Sequence, residues 1–400
     1  MVRRLLILAT ILGLASPGVE ADSSASDPPE RSDPEAVFEE QVLVTGGAEA
    51  VEVLPGSADF VDLSTLEEQA YGDVNRILRQ VPGVNIQEEE GYGLRPNIGM
   101  RGTGVERSSK ITLMEDGVLI APAPYAAPAA YYFPTSARME ALEVRKGSAS
   151  IGQGPYTTGG VINLVSSAIP PQLGAAAELL YGSENTVRLR AKVGGSSERL
   201  GWLLETFQLD TDGFKELDGG GRTGVRLQDY LGKLRYNTSG KSGPYQLVEL
   251  KLGKTGQFGN ETYLGLTDED FDRTPMRRYA GSQEDWIDTD HEQIQLRHFI
   301  QPLNTVYVTT TLYRNDFFRN WHKLQSVSGV GIGSVLDDPL EYPSELAVLR
   351  GEMDDETGSL AIRNNRRTYR SEGVDVLLDW QIPVANIDQQ LQFGLRFHRD

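Results

Sequence analysis

From position 186 to the end of the chain, apolar and polar residues alternate one for one in short stretches. Val187, Leu189, Ala191 and Val193 alternate with Arg188, Arg190 and Lys192, and Tyr230, Leu234 and Tyr236 alternate with Lys233, Arg235 and Asn237. The same period returns over 293–300, 374–382 and 391–398. A period of two sends successive side chains to opposite faces of a strand, so one face is apolar and the other charged. The charged face must see water. The pattern predicts about nine strands over 173–400, polar inside and apolar outside, the reverse of a soluble barrel. Connections after the second, fourth, sixth and eighth strands are short, around 194–198, 238–243, 301–304 and 383–388. Those after the third, fifth and seventh are long, roughly 211–224, 255–289 and 316–371. Short turns at one end and long loops at the other are the layout of a barrel that crosses a lipid bilayer.

The stretch 41–167 follows another rule. Leu66, Ala70, Val74, Ile77 and Leu78 stand at helical spacing after Ser64, which predicts one capped helix over 64–79. Short apolar runs at 81–86, 98–101, 111–114, 142–145 and 161–165 predict strands, and Asp116-Gly117 marks a turn. Gly147, Gly159 and Gly160 lie between the last two strands and allow backbones to approach closely. Residues 121–134 are too rich in proline for a central strand and too apolar for a linker, so they read as an ordered loop presenting Tyr125, Tyr131 and Tyr132. A mixed α+β module followed by antiparallel transmembrane strands is the expected architecture.

Ahead of the module, Arg3 and Arg4 precede an apolar run over 5–15, and Val19-Glu20-Ala21 offers a cleavage site. That is a secretory signal over 1–21, too short for a spanning helix. Residues 22–38 carry Ser, Pro, Asp and Glu with few apolar residues, and the stretch 22–41 is expected to be a disordered linker. Val42, Leu43, Val44 and Thr45 form a β-prone island after it. They read either as the first strand of the module or as an extended peptide that adds to a partner's sheet edge.

Composition narrows the function. The formal charge is −19, which argues against nucleic acid as a partner. The absence of cysteine excludes disulfides and thiolate chemistry. The four histidines, His291, His298, His322 and His398, lack metal-ligand spacing and read as scattered surface residues. Glu88-Glu89-Glu90 and the run 267–272 read as solvated acidic loops rather than metal sites. No hydrolase, nucleotide or metalloprotease motif is present, so an enzyme is not expected.

Val42–Thr45, then VPGVNI, MRGTG, LMEDGVLI, RMEALEVRKG and GPYTTGGVINLVS in that order, resemble the TonB-dependent outer-membrane receptors of Gram-negative bacteria. GYGLRPNIGMRG and LIAPAPYAAPAAYYFP are most similar to the ferric dicitrate branch. The resemblance implies a plug over 50–168 inside a barrel of about 22 strands, of which this chain supplies the front part. It implies no cofactor. The transported ligand is a ferric chelate, the partners are a TonB-type inner-membrane energy-coupling complex and outer-membrane lipid, and Val42–Thr45 is the coupling box. A receptor for another siderophore or for cobalamin, and a passive porin, are the rival expectations.

In such receptors outward-facing plug loops floor the ligand site. Here those are 88–97 and 121–134, with Tyr92, Arg95, Arg107, Tyr125, Tyr131 and Tyr132 as candidate ligand contacts. Arginine pairs bidentately with carboxylates, and tyrosine offers area plus a hydroxyl. Basic plug residues of the family pair with barrel acids. Arg101, beside Gly102, and Lys146, beside Gly147, occupy those places and are expected to be structural or gating. Lysine at 146 stands where arginine is usual and lacks the planar fork. The stretch ahead of the coupling box is too short to build a signalling domain.

Overall fold

The computed structural model describes residues 56–400 except 70–72, 121, 155–156, 242, 355–357 and 385–386, together with 38, 43, 47, 48 and 51. Strands β1 (Ser57–Val61), β4 (Ile111–Glu115), β5 (Val118–Leu119), β6 (Met139–Lys146) and β7 (Gly160–Ser166) form one sheet in the order β1-β6-β7-β4-β5. Strands β2 (Val84–Gln87) and β3 (Asn97–Met100) pair beside it. Asp116 and Gly117 both take positive φ, 51° and 75°, so the β4–β5 hairpin closes on the turn type that matches strand twist. Gly160 is held at φ 152°, and a Cβ there would lie 2.4 Å from the Arg145 carbonyl oxygen. Only glycine fits that crossing.

The core of this module is dry. Val74, Leu78, Ile98, Met100, Ile111, Leu113, Leu142, Val144, Ile162 and Leu164 are all buried in one cluster. The predicted single helix is two: α1 (Leu63–Gln69) and α2 (Val74–Leu78). Asp62, not Ser64, accepts the Thr65 amide at 2.8 Å, and Asp73 caps α2 by accepting the Asn75 amide at 2.8 Å. A second capping residue inside the apolar periodicity restarts the helix.

Nine strands then run in one antiparallel path: β8 (Gly174–Tyr181), β9 (Val187–Ser196), β10 (Leu200–Asp210), β12 (Val225–Asn237), β13 (Tyr245–Gly259), β15 (Trp286–Leu303), β16 (Val306–Val327), β18 (Leu360–Val384) and β19 (Ile387–Arg399). Short β11 (Glu216–Leu217), β14 (Arg277–Arg278) and β17 (Val330–Gly331) lie in the long loops. Polarity is inverted in this sheet. On β12, Tyr230, Leu234 and Tyr236 are 50%, 53% and 49% exposed, whereas Lys233, Arg235 and Asn237 are buried. The wet face turns toward the α+β module. Contacts with that module reach from Lys192 of β9, on Glu140 at 2.8 Å, to Arg396 of β19, on the Gln153 carbonyl at 2.8 Å, so the sheet wraps around it.

Two long connections are shorter than the pattern predicts. The strands continue through the charged stretches 314–320 and 363–370, leaving loops at 260–285 and 328–359. At 22 and 25 residues, β16 and β18 exceed the roughly 9–11 residues that cross a bilayer, so their outer ends are wet on both faces. The two loops fold together around Leu264, Tyr279, Leu324, Val327, Val335, Leu346 and Leu349. The acidic run at 267–272 is exposed at Asp268, Glu269 and Asp272, as expected, but it is a helix rather than a loop. It forms α3 (Asp268–Arg273) capped by Thr267, and buried Asp270 accepts from Tyr279 at 2.6 Å and pairs with Arg350 at 2.7 Å.

Candidate functional site

Two zones join the central module to the sheet, and they differ in chemistry. At mid-height the β4–β5 turn carries Glu115 and Asp116 into the wall. Lys251 of β13 donates to both carboxylates at 2.6 Å, Lys233 of β12 lies 3.7 Å from Asp116, and Arg297 of β15 donates to the Asp116 carbonyl at 2.7 Å. Arg138 bridges inward and outward at once, 2.9 Å from Glu115 and 2.9 Å from Asp229 of β12. Thr135 and Thr255 donate to the same Asp229 at 2.8 and 2.7 Å. Burial alone would raise the Glu115 carboxyl; Arg138 and Lys251 outweigh it and hold it at about 2. Asp116 is likewise held far below the usual carboxylate range, against burial, by Lys233 and Lys251. Glu115 and Asp116 are therefore ionised, and each faces two cationic side chains.

The residues expected to pair with the wall do something else. Lys146 binds Asp59 and the Pro82 carbonyl, both inside the module. Arg101 is exposed with φ 51°, its guanidinium over Gly147, and Gly102 follows with φ 79°. Gly159 is crowded by Ile111 and Thr103 and fixes the approach of β7. These residues shape the module. Arg138, Glu115 and Asp116 carry the seam instead. All three lie within RMEALEVRKG and LMEDGVLI, but nothing along the chain says which barrel cation each will meet.

The second zone lies toward the long loops. Tyr131 takes φ 62°, which aims its ring outward against Trp321, centroids 5.2 Å apart, and its hydroxyl at that of Tyr263. Arg107 stands 5.1 Å over the Tyr131 ring, and Lys323 lies 3.5 Å over Tyr263, which stacks on Trp321 at 4.4 Å. Aromatic faces attract cations, so the rings preorganise the positive charge. Arg95 is buried and pairs with Glu261 at 2.5 Å. Burial pushes the Glu261 carboxyl up while Arg95 pulls it down. Tyr92 packs on Phe214 at 5.5 Å, and burial raises its phenol to about 12.

A cavity of about 340 Å³ opens between the module and the wall, lined by Tyr92, Tyr131 and Tyr132 on one side and Gln257, Thr289 and His291 on the other. Arg95, Arg107, Tyr131 and Tyr132 line a second, small recess. The structure therefore gathers Tyr92, Arg95, Arg107, Tyr131 and Tyr132. Half-buried Tyr125 lines neither space. His291 is no surface residue: it is buried and stacks on Tyr132 at 3.9 Å. His398 lies against Tyr313, its Nδ1 2.9 Å from the hydroxyl. Of the acidic loop, Glu88 and Glu89 face solvent as expected, while Glu90 is buried and accepts the Arg95 amide at 3.3 Å. Sequence reasoning missed Tyr263, Trp321 and Lys323, whose strand and loop positions carry no local sign of meeting Tyr131.

Of the expected coupling box, Val42, Val44 and Thr45 lie outside the described residues, and Leu43 is half-buried. Residues 22–37 of the expected linker also lie outside them. Phe38 does not behave as linker: it is buried.

Residues 50–161 match the family model described as TonB-dependent Receptor Plug Domain. A vitamin B12 transporter, BtuB of Photobacterium profundum, is 26% identical over 172 residues, 39% of this chain and 28% of that protein. The ferric citrate transporter FecA in its unliganded form has the same fold, with a TM-score of 0.65 at 19% identity over 88% of this chain and 48% of that one. The ferripyoverdine receptor of the outer membrane of Pseudomonas aeruginosa gives 0.62 at 14% identity, covering 86% and 42%. The chain spans less than half the length of these relatives.

Proposed function

We propose that this chain, built as a TonB-dependent receptor plug domain seated in nine strands of barrel wall, is the front part of an outer-membrane receptor for energised uptake of a ferric chelate. The observation that carries this reading is the outward shelf of Tyr131, Tyr263 and Trp321 with Arg107 and Lys323, set over a cavity at the plug–wall boundary. A chelate that is anionic and partly apolar meets cations and rings there, and the plug below denies it a passive path. No helix among the described residues is long and apolar enough to cross a membrane, and the apolar-out strands supply the crossing. The location is the outer membrane of a Gram-negative cell, reached after signal cleavage.

Ferric citrate is the favoured cargo, supported by the likeness to the citrate transporter and by the motifs at 91–102 and 119–134. The B12 relative keeps cobalamin as the second reading. Tyr92, Arg95, Arg107, Tyr131 and Tyr132 are proposed to contact ligand, and Val42–Thr45 to bind the TonB-type energy-coupling complex. Titration of the purified complete protein with ferric citrate, other ferric chelates and cobalamin tests the cargo. Saturable binding of cobalamin alone would reverse the choice. Val44→Pro removes an amide donor needed for strand addition and should abolish uptake while leaving surface binding intact.

A further inference from the structure

The inner face of the wall mixes charged residues with apolar ones such as Phe207, Leu227, Leu231 and Phe317, and one further apolar group forms a cluster of its own. Leu247 of β13, Phe299 of β15 and Tyr307 of β16 all turn inward and are fully buried. They lie at the short-turn ends of their strands, opposite the long loops. Inward apolar groups in a wet lumen need a cover, and the cover is Phe38, whose ring meets Phe299 edge-on at 5.9 Å. Arg297 sits 5.6 Å over the same ring while donating to the Asp116 carbonyl at 2.7 Å. One guanidinium thus touches both the segment ahead of the coupling box and the plug's acidic turn.

We propose that the Leu247–Phe299–Tyr307 patch is a dock for this chain's own N-terminal segment, with Phe38 as its peg. Val42 lies four positions beyond Phe38, and an extended chain covers at most ~3.6 Å per residue. A seated Phe38 therefore keeps the start of the box within about 14 Å of the patch. Withdrawing the peg lengthens the reach of the box toward a partner and frees one face of Arg297. The inference rests on the functional reading only for the role of residues 42–45.

The sequence contains no cysteine, so Leu43→Cys is a clean reporter in a complete protein otherwise freed of thiols. Labelling by a water-soluble maleimide is measured without ligand or partner, so its result does not depend on which cargo is carried. Phe38→Ala should raise the labelling rate roughly tenfold, and Phe38→Leu by less. Phe299→Ala should raise it similarly, and the double variant no further than either alone. An unchanged rate in Phe38→Ala, or additive effects in the double variant, would overturn the dock. Phe38 lies outside the plug core, so its variant keeps the test open even where Phe299→Ala fails to assemble.

Discussion

The plug and the wall are written in the same residues with opposite meanings. In the plug, Leu142 and Leu164 are buried among aliphatic neighbours. In the wall, Leu234 and Phe397 are 53% and 71% exposed, while Lys251 and Arg297 are buried. A leucine therefore reports burial in one region and the lipid boundary in the other. The difference is one of solvent, not of residue preference. Where the two regions meet, the wet inner face of one receives the charged turn of the other, and the seam is made of ions rather than oil.

The sharpest way to break that comparison is at Asp229. Asp229→Ala leaves Arg138 buried with half its compensation, and breaking such a pair costs about 3–5 kcal/mol. The plug should loosen inside an intact barrel. Protease cleavage of the plug in the complete protein reads this directly, against unchanged heat-modifiable migration of the barrel. Resistance equal to wild type would mean that the seam does not hold the plug.

Next comes a matched pair of leucines. Leu164→Ala opens a cavity in the plug core and should cost about 2–5 kcal/mol of plug stability. Leu234→Ala removes the same atoms from a side chain that faces lipid, where water is not the alternative, and should change stability by about 1 kcal/mol or less. Urea titration of both variants measures the contrast. Equal losses would erase the distinction between the regions.

Much of this architecture was legible beforehand, and the reason is physical. Alternation is local, so the polarity of β9, β12, β18 and β19 could be read from a few residues each. The Asp116-Gly117 turn was equally local. What could not be read depends on register between distant strands: Lys251 meets Glu115 across 136 positions, and Arg95 meets Glu261 across 166. The charged stretches at 314–320 and 363–370 looked like loops because charge on both faces usually ends a strand. Above a bilayer both faces are wet, and the ladder continues. Phe38 was hidden differently, as one aromatic in a polar tract whose cover lies more than 200 residues away.

The seam also makes a pH prediction. The Glu115 carboxyl is held at about 2 when the plug is seated, below its ordinary 4.5. A carboxylate depressed by its partners contributes stability that is fully present above the ordinary value and lost as pH falls toward the seated one. Resistance of the plug to release by urea should therefore be flat from pH 8 to about 5 and decline between about 4.5 and 2. Glu115→Gln should flatten that decline. A loss that begins near pH 6.5 would point to histidine, with His291 the first to replace.

The smallest expected effect lies at the outer shelf, and it shows whether the seam is ionic throughout. Tyr131→Phe keeps the ring against Trp321 and beneath Arg107 but deletes the hydroxyl that meets Tyr263. A single neutral hydrogen bond contributes about 0.5–1.5 kcal/mol, a fraction of what Asp229→Ala should cost. Burial, then the Tyr263 hydroxyl, pushes the Tyr131 phenol far above its usual range, so the group is neutral at any working pH and offers a ligand no charge. Tyr131→Phe should therefore leave chelate affinity within a few-fold of wild type, whereas Tyr131→Ala also removes the face on which Arg107 rests and should weaken it further. Calorimetric titration of the two variants separates ring from hydroxyl. If the phenylalanine variant loses as much as the alanine one, the shelf works by hydrogen bonding, and the contrast between an ionic seam below and an aromatic one above must be redrawn.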